Sequence, residues 1–241
     1  MATTITWLGH SNFLIEAPGV NIYIDPYFGP EADKRPWRDL PRADLVLVTH
    51  DHHDHVGSAV DICLESGAKL GCIVDAVENI VKGALAPEQI LNNIGFNLGG
   101  GIVYKGAKTV MIPAFHSSRR ASPVGYIITL PDGITVYHSG DTCIFGDMAL
   151  WGELHPLDVA LLPIGGVFTM DPEQAALACK LLGAAHVIPM HWGTFSVLEQ
   201  NTNSFAAALA KTAPACAPLL LSPGESCRFA GAKQPARPGR A

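Results

Sequence analysis

Short β-favouring runs open the chain. Thr3–Trp7, Asn12–Glu16 and Val20–Ile24 predict strands, separated by the turn signals Gly9-His10 and Pro18-Gly19. Leu45–Thr49 is apolar without a break at LVLV, the pattern of a strand buried on both faces. Ala59–Glu65 predicts a helix, Lys69–Val74 a strand and Ala76–Leu85 a helix. From Ile90 to Tyr137 the pattern is β again. Val110–Phe115, Val124–Leu130 and Ile134–Tyr137 predict strands, the last two joined by a hairpin turn at Pro131-Asp132-Gly133. Asp147–Leu154 reads as a helix and Val159–Leu162 as a strand. Pro172 suits the first position of a helix running from Glu173 to Leu182, which Gly183 ends. Val187–Met190 is a strand and Phe205–Lys211 a helix, with last strands near Leu219–Leu221 and Cys227–Phe229. Antiparallel hairpins mixed with α/β units predict sheets packed together with helices outside.

Composition narrows the class. The 241 residues are 48% apolar and 16% charged, which excludes a disordered chain and permits one sizeable core. We read one domain over 1–230 and a disordered tail over 231–241, which is rich in Pro, Gly, Lys and Arg. Sixteen basic against 22 acidic residues give a net charge of −6, unlike a nucleic-acid binder. No apolar run approaches the roughly 18 residues of a membrane span, and the opening MATTITWLGH lacks the pattern of a secretory signal. Six scattered cysteines with no C-x-x-C pair read as reduced thiols in a cytoplasmic protein.

The chemistry lies in the ten histidines. Thr49-His50-Asp51-His52-His53-Asp54-His55 follows the LVLV strand directly, and strand carboxyl ends are where α/β folds bind ligands. Four imidazoles and two carboxylates in six residues resist common protonation, and burying them unpaired is costly. A divalent cation resolves both problems, because imidazole nitrogen and carboxylate oxygen are ligands for Zn, Mn, Fe or Ni. His50 and His52 are two apart and point to one side of an extended segment, whereas Asp54 and His55 come as the chain turns into a helix. One loop could therefore serve two metals. His116, Asp141 and His191 each end an apolar run, so they are the remaining candidate ligands.

These residues carry a resemblance. His50-x-His52-x-Asp54-His55 with His116, Asp141 and His191 resembles the metal motif of the metallo-β-lactamase superfamily. The segments WLGHSNF, IYIDPYF, VTHDHHDHVG, AFHSS, YHSGDTCIFGDM, LLPIGGVFTMDPEQAA and IPMHWGTF resemble its metal-dependent hydrolases related to ascorbate-6-phosphate lactonases. The resemblance implies an α+β fold, an αββα sandwich of two mixed β-sheets with helices on both outer faces. It implies that His50, His52 and His116 hold one metal, that Asp54, His55 and His191 hold a second, and that Asp141 bridges them. Asp25 matches an acidic residue that supports the site. His53 stands where the superfamily usually has glycine and is an alternative ligand.

The implied activity is metal-dependent hydrolysis with two divalent ions, zinc first. A hydroxide between them would attack a small ester, lactone or phosphodiester. Asp54 and Asp141 are the candidate catalytic carboxylates. His10 is a candidate for orienting the site or touching substrate, and His138 for supporting it. Arg119-Arg120 could clamp an anion or form a solvated pair. Gly165–Thr169 and Trp192–Phe195 are candidate pocket walls. The expected partner is a small-molecule substrate, with no nucleic acid and no membrane, and self-association is possible. The alternatives are a di-iron oxidoreductase, whose relatives carry Glu where this chain has His52, and a non-catalytic metal-binding protein.

Overall fold

The computed structural model describes residues 2–231, so the tail read as disordered lies outside them apart from Gly231. In chain order the elements are β1 (Thr3–Gly9), β2 (Asn12–Ala17), β3 (Val20–Ile24), β4 (Leu45–Leu47), α1 (His53–Val56), α2 (Ala59–Ser66), β5 (Lys69–Gly71), α3 (Val74–Val81), β6 (Gly101–Tyr104) and β7 (Ala107–Pro113). They continue with β8 (Val124–Thr129), β9 (Thr135–His138), α4 (Met148–Leu154), β10 (Val159–Pro163), α5 (Pro172–Leu182), β11 (His186–Met190), α6 (Asn203–Thr212), β12 (Ala217–Pro218) and β13 (Ser226–Phe229).

One sheet has the order β13-β1-β2-β3-β4-β5 and the other β12-β11-β10-β9-β8-β7-β6. Both are mixed. In the first, β13 to β3 pair antiparallel and β3 to β5 parallel. In the second, β6 to β9 pair antiparallel and β9 to β12 parallel. α2 packs on β4 and β5, whereas α5 packs on β10 with α4 and α6 beside it. This is the α+β sandwich that was expected, helices outermost on both sides.

The alternation of side chains along β10 explains its unbroken apolar run. Val159 and Leu161 join the core between the sheets, while Ala160 and Leu162 face the helices of the second layer. Leu45, Val46 and Leu47 of β4 are likewise buried, between parallel neighbours β3 and β5. At the end of β4 the sheets are tied together. Tyr126 OH donates to Val48 O at 2.6 Å and Val124 N–H donates to Thr49 O at 3.0 Å. This tie sets the loop after β4 against the ends of the second sheet.

The punctuation residues act as expected. Asp171 caps α5 by accepting from the Gln174 N–H at 2.8 Å, Pro172 opens the helix, and Gly183 closes it with a left-handed φ of 60°. Three expectations shift. The predicted strand Lys69–Val74 stops at Gly71, and α3 begins at Val74, because Cys72 O accepts from Phe96 N–H, Val74 N–H donates to Phe96 O, and helical spacing then buries Ala76 and Ile80. The strand expected near Leu219–Leu221 is the two-residue β12, with one further bond from Leu219 N–H to Val187 O. The strand β7 begins three residues earlier than predicted, and it pairs with β6 across the Lys105-Gly106 turn.

Candidate metal centre

Six strands deliver the site from their carboxyl ends. His10 follows β1, Asp25 follows β3, and the His50–His55 loop follows β4. His116 lies just beyond β7, Asp141 beyond β9 and His191 beyond β11. Three of these residues sit in the left-handed region, His10 at φ 51°, Asp25 at 47° and His191 at 57°. Such conformations cost about 1–3 kcal/mol in non-glycine residues and cluster at functional sites. His10 is aimed by a bulge between Trp7 and Gly9, and its carbonyl is held by Trp7 Nε1–H at 2.9 Å and His191 N–H at 3.0 Å. Two glycines make room. A Cβ on Gly165 would meet His191 O at 2.2 Å, and one on Gly140, at φ 61°, would meet Val124 O at 2.4 Å.

The candidate ligands gather in three overlapping groups. His50, His52 and His116 form one, His50, His55 and Asp141 a second, and His10, Asp54, His55 and His191 a third. Within each group the nitrogen and oxygen atoms lie within 4.8 Å of one another. Asp141 Oδ2 stands between the sets, 3.6 Å from His116 Nε2, 3.2 Å from His55 Nε2 and 3.1 Å from His191 Nε2.

These atoms suit a cation. His55 Nδ1 donates to Asp25 Oδ2 at 2.7 Å, which aims its Nε2 at Asp141, 3.2 Å away. Among the described residues, the buried polar atoms without a hydrogen-bond partner include His55 Nε2 and Asp141 Oδ1 within the cluster. Buried polar atoms left so call for an explanation, and a cation between them is one. His50 Nδ1 reaches Thr49 Oγ1 at 3.0 Å, so its Nε2 turns to His52 Nδ1, also at 3.0 Å. Thr49 Oγ1 donates to Asp25 Oδ2 at 2.7 Å, so one buried carboxylate steadies ligands in both sets.

The electrostatics are those of a site built around positive charge. Burial and the neighbouring His55 hold His50 well below the usual imidazole value, and burial lowers His116 as well. Burial brings His10 down to about 4 despite its hydrogen bond to Asp54. Burial also opposes charge on His55, but Asp141 and Asp25 together outweigh it and raise this pKa well above the ordinary value. Burial likewise disfavours ionised Asp141 and Asp54. The facing His191 and His55 nonetheless keep Asp141 well below the usual carboxylate range, and the His10 hydrogen bond keeps Asp54 low.

Placement follows the sequence reading with three changes. His53 opens α1 with its side chain 76% exposed and joins none of the three groups. His10 is more central than expected, with Nε2 3.2 Å from Asp54 Oδ2 and Nδ1 3.0 Å from Thr194 Oγ1. His138 stands behind the site. Its Nε2 bonds Ser11 O at 2.9 Å and its Nδ1 accepts from Gly140 N–H at 3.1 Å, which shapes the turn presenting Asp141. Thr49 and Asp51 were not singled out as functional, since nothing in their spacing marks their bonds to Asp25 and Ser118. Arg119 is exposed and lines a cleft of about 220 Å³ with His53, Asn79 and Lys82.

The comparisons agree with this geometry. The family described as Beta-lactamase superfamily domain matches residues 4–191, from β1 to His191, and so spans every candidate ligand. A "UPF0173 metal-dependent hydrolase" of Nitratidesulfovibrio vulgaris is 58% identical over 94% of this chain and 95% of its own length. One from Lawsonia intracellularis is 48% identical over 94% of this chain and 99% of its own. The solved structure of Igni18, a metallo hydrolase from the hyperthermophilic archaeon Ignicoccus hospitalis, is 37% identical with a TM-score of 0.86, covering 95% of this chain and 99% of that one. With the fold, the strand-end histidines and these relatives in agreement, the chain belongs to the UPF0173 metal-dependent hydrolases of the β-lactamase superfamily.

Proposed function

We propose that the chain is a dinuclear metal-dependent hydrolase of a small carboxylic ester, lactone or phosphodiester. The observation that carries this reading is the position of Asp141 Oδ2, within 3.6 Å of imidazole nitrogens from both histidine sets. A carboxylate shared by two clusters suits two adjacent cations, with zinc favoured by the N/O donors and Mn, Fe or Ni as alternatives. Ions held there supply Lewis acidity and lower the pKa of water.

The chain's own residues do the positioning. His50, His52 and His116 would hold one ion, Asp54, His55 and His191 the other, and Asp141 both. Asp25 fixes the tautomer of His55 through its Nδ1–H. Asp54, braced by His10, is partly exposed, so it is placed to take a proton and return it to a leaving group. His52, Asp54 and His116 are the partly exposed candidate ligands and form the edge that substrate reaches first. The six cysteines are free thiols, which supports a reducing, cytoplasmic setting. No helix among the described residues is long and apolar enough to cross a membrane.

The test is metal content per chain by plasma mass spectrometry. It is run beside hydrolysis of a lactone, a thioester, a p-nitrophenyl ester and bis-p-nitrophenyl phosphate. Close to two ions with chelator-sensitive turnover is expected. One ion or none, with no turnover after reconstitution, overturns the reading.

A further inference from the structure

His10 is left over when the ligands are shared between two ions, yet its ring stands among the second set. Its centroid is 4.1 Å from that of His191 and 5.6 Å from that of His55. One donor atom of His10 lies within 4.8 Å of donors from Asp54, His55 and His191. Nε2 is the nitrogen turned to that side, 3.2 Å from Asp54 Oδ2. Two donors sharing one ion at about 2.1 Å stand about 3.0–3.4 Å apart, between octahedral and tetrahedral angles. His10 and Asp54 have that spacing, as do His55 and Asp141 at 3.2 Å and His191 and Asp141 at 3.1 Å. A hydrogen bond is nearly as long, so the surroundings of the ring decide between ligand and brace.

The His10 side chain is 2% exposed against 15% for Asp54, so substrate meets Asp54 first and does not reach the imidazole. The turn that carries it is fastened to a ligand turn, because His10 O accepts from His191 N–H at 3.0 Å. On the far side of the ring, Nδ1 lies 3.0 Å from Thr194 Oγ1, and that hydroxyl has Trp192 O at 3.4 Å to take its own proton. Thr194 can therefore accept from Nδ1–H, which is the tautomer that a ligating Nε2 requires. Metal-bound histidines give their other ring N–H to an oxygen in this way. His138 is the contrast. It is equally buried but spends both nitrogens on backbone groups, Ser11 O and Gly140 N–H, and so stays behind the site.

We propose that His10 is a further metal ligand, binding through Nε2 the ion assigned to Asp54, His55 and His191. The proposal rests on the two-ion reading above. With Asp141 that ion has five protein donors, against four for the ion of His50, His52 and His116. A structural metal is closed by its protein ligands, whereas a catalytic one keeps a position open. His10, His55 and His191 are buried, whereas His52 and His116 are partly exposed. Substrate is therefore taken at the three-histidine ion, and the His10 ion is the closed one.

The experiment titrates Co²⁺ into the chelator-treated full chain, as wild type, His10→Gln and Thr194→Val. Glutamine keeps an N–H for Asp54 but offers no imidazole. The readouts are the dissociation constant of each ion and the number of exchangeable imidazole N–H signals that Co²⁺ shifts in proton NMR. Six signals are expected in the wild type, one from each ligand histidine, and five in His10→Gln. One of the two constants should weaken in His10→Gln by more than about 100-fold, the upper end for a lost supporting partner. Thr194→Val leaves the imidazole in place, so it should keep six signals and weaken the same constant by about 10- to 100-fold. Two bound ions with the same signal count in wild type and His10→Gln make His10 a brace of Asp54. That result overturns the proposal and leaves the two-ion reading intact. If His10→Gln does not fold, the wild-type count decides alone, six upholding the ligand and five overturning it. A wild type that binds one Co²⁺ or none brings down both readings.

Discussion

The Asp51 carboxylate accepts a hydrogen bond from Ser118 Oγ at 2.6 Å. Asp51 stands between His50 and His52, and Ser118 is two residues past His116, so one bond joins both parts of the three-histidine set. Asp51 also accepts from Arg119 N–H at 2.8 Å and from Asn79 Nδ2 at 2.6 Å, which anchors the pair to α3. Asp51→Ala leaves these donors without a partner. We expect unfolding in urea with chelator present to cost about 3 kcal/mol less, and metal retention to fall. Asp51→Asn, which keeps one acceptor oxygen, should lie between. Equal midpoints for alanine and wild type would show that the loops are coupled some other way.

Asp25→Asn isolates charge from shape. Asp25 has a left-handed φ of 47°, which Asn tolerates, so the backbone should stay in place. The amide cannot accept from both His55 Nδ1 and Thr49 Oγ1 at the oxygen that now receives both bonds without losing the carboxylate charge that polarises His55. Losses of this kind cost about 10- to 100-fold in metal affinity. Competition with a chromogenic chelator measures it, and an unchanged affinity would remove Asp25 from the support of the site.

What could be read in the sequence was local. LVLV marked β4, Asp171-Pro172 and Gly183 marked the ends of α5, and a polar residue ending an apolar run marked His116, Asp141 and His191. What could not be read depends on partners far along the chain. His10 reaches Asp54 only because a bulge and a left-handed turn after β1 swing it across 44 positions of sequence. Val74 has strand propensity, yet it begins a helix, because Phe96 takes the bonds that a longer β5 would have used. Asp51 looked like an odd residue between two ligands until Ser118 and Asn79 were set against it by the fold.

Asp141→Ala tests the shared carboxylate. Asp141 Oδ2 is the oxygen common to both sets, so its loss should reduce bound metal below the wild-type count and abolish turnover. His155→Ala is the control. His155 ends α4 and belongs to none of the three candidate groups, so metal and activity should both be kept. Metal content of the two variants by plasma mass spectrometry decides the matter, and wild-type content in Asp141→Ala would exclude the bridging role.

Val167→Gly tests the left-handed turn at the tip of the loop after β10. At φ 51° valine stores roughly 1–3 kcal/mol of strain that glycine relieves. Glycine gives back about 0.4–1 kcal/mol through the freer unfolded chain. The balance predicts a gain of about 1 kcal/mol, a rise in Tm of about 2–4 °C for a chain of this length. Calorimetry on one preparation of each protein measures it. A Tm that falls would mean that the valine side chain is held by packing, and that its left-handed backbone is not the source of strain.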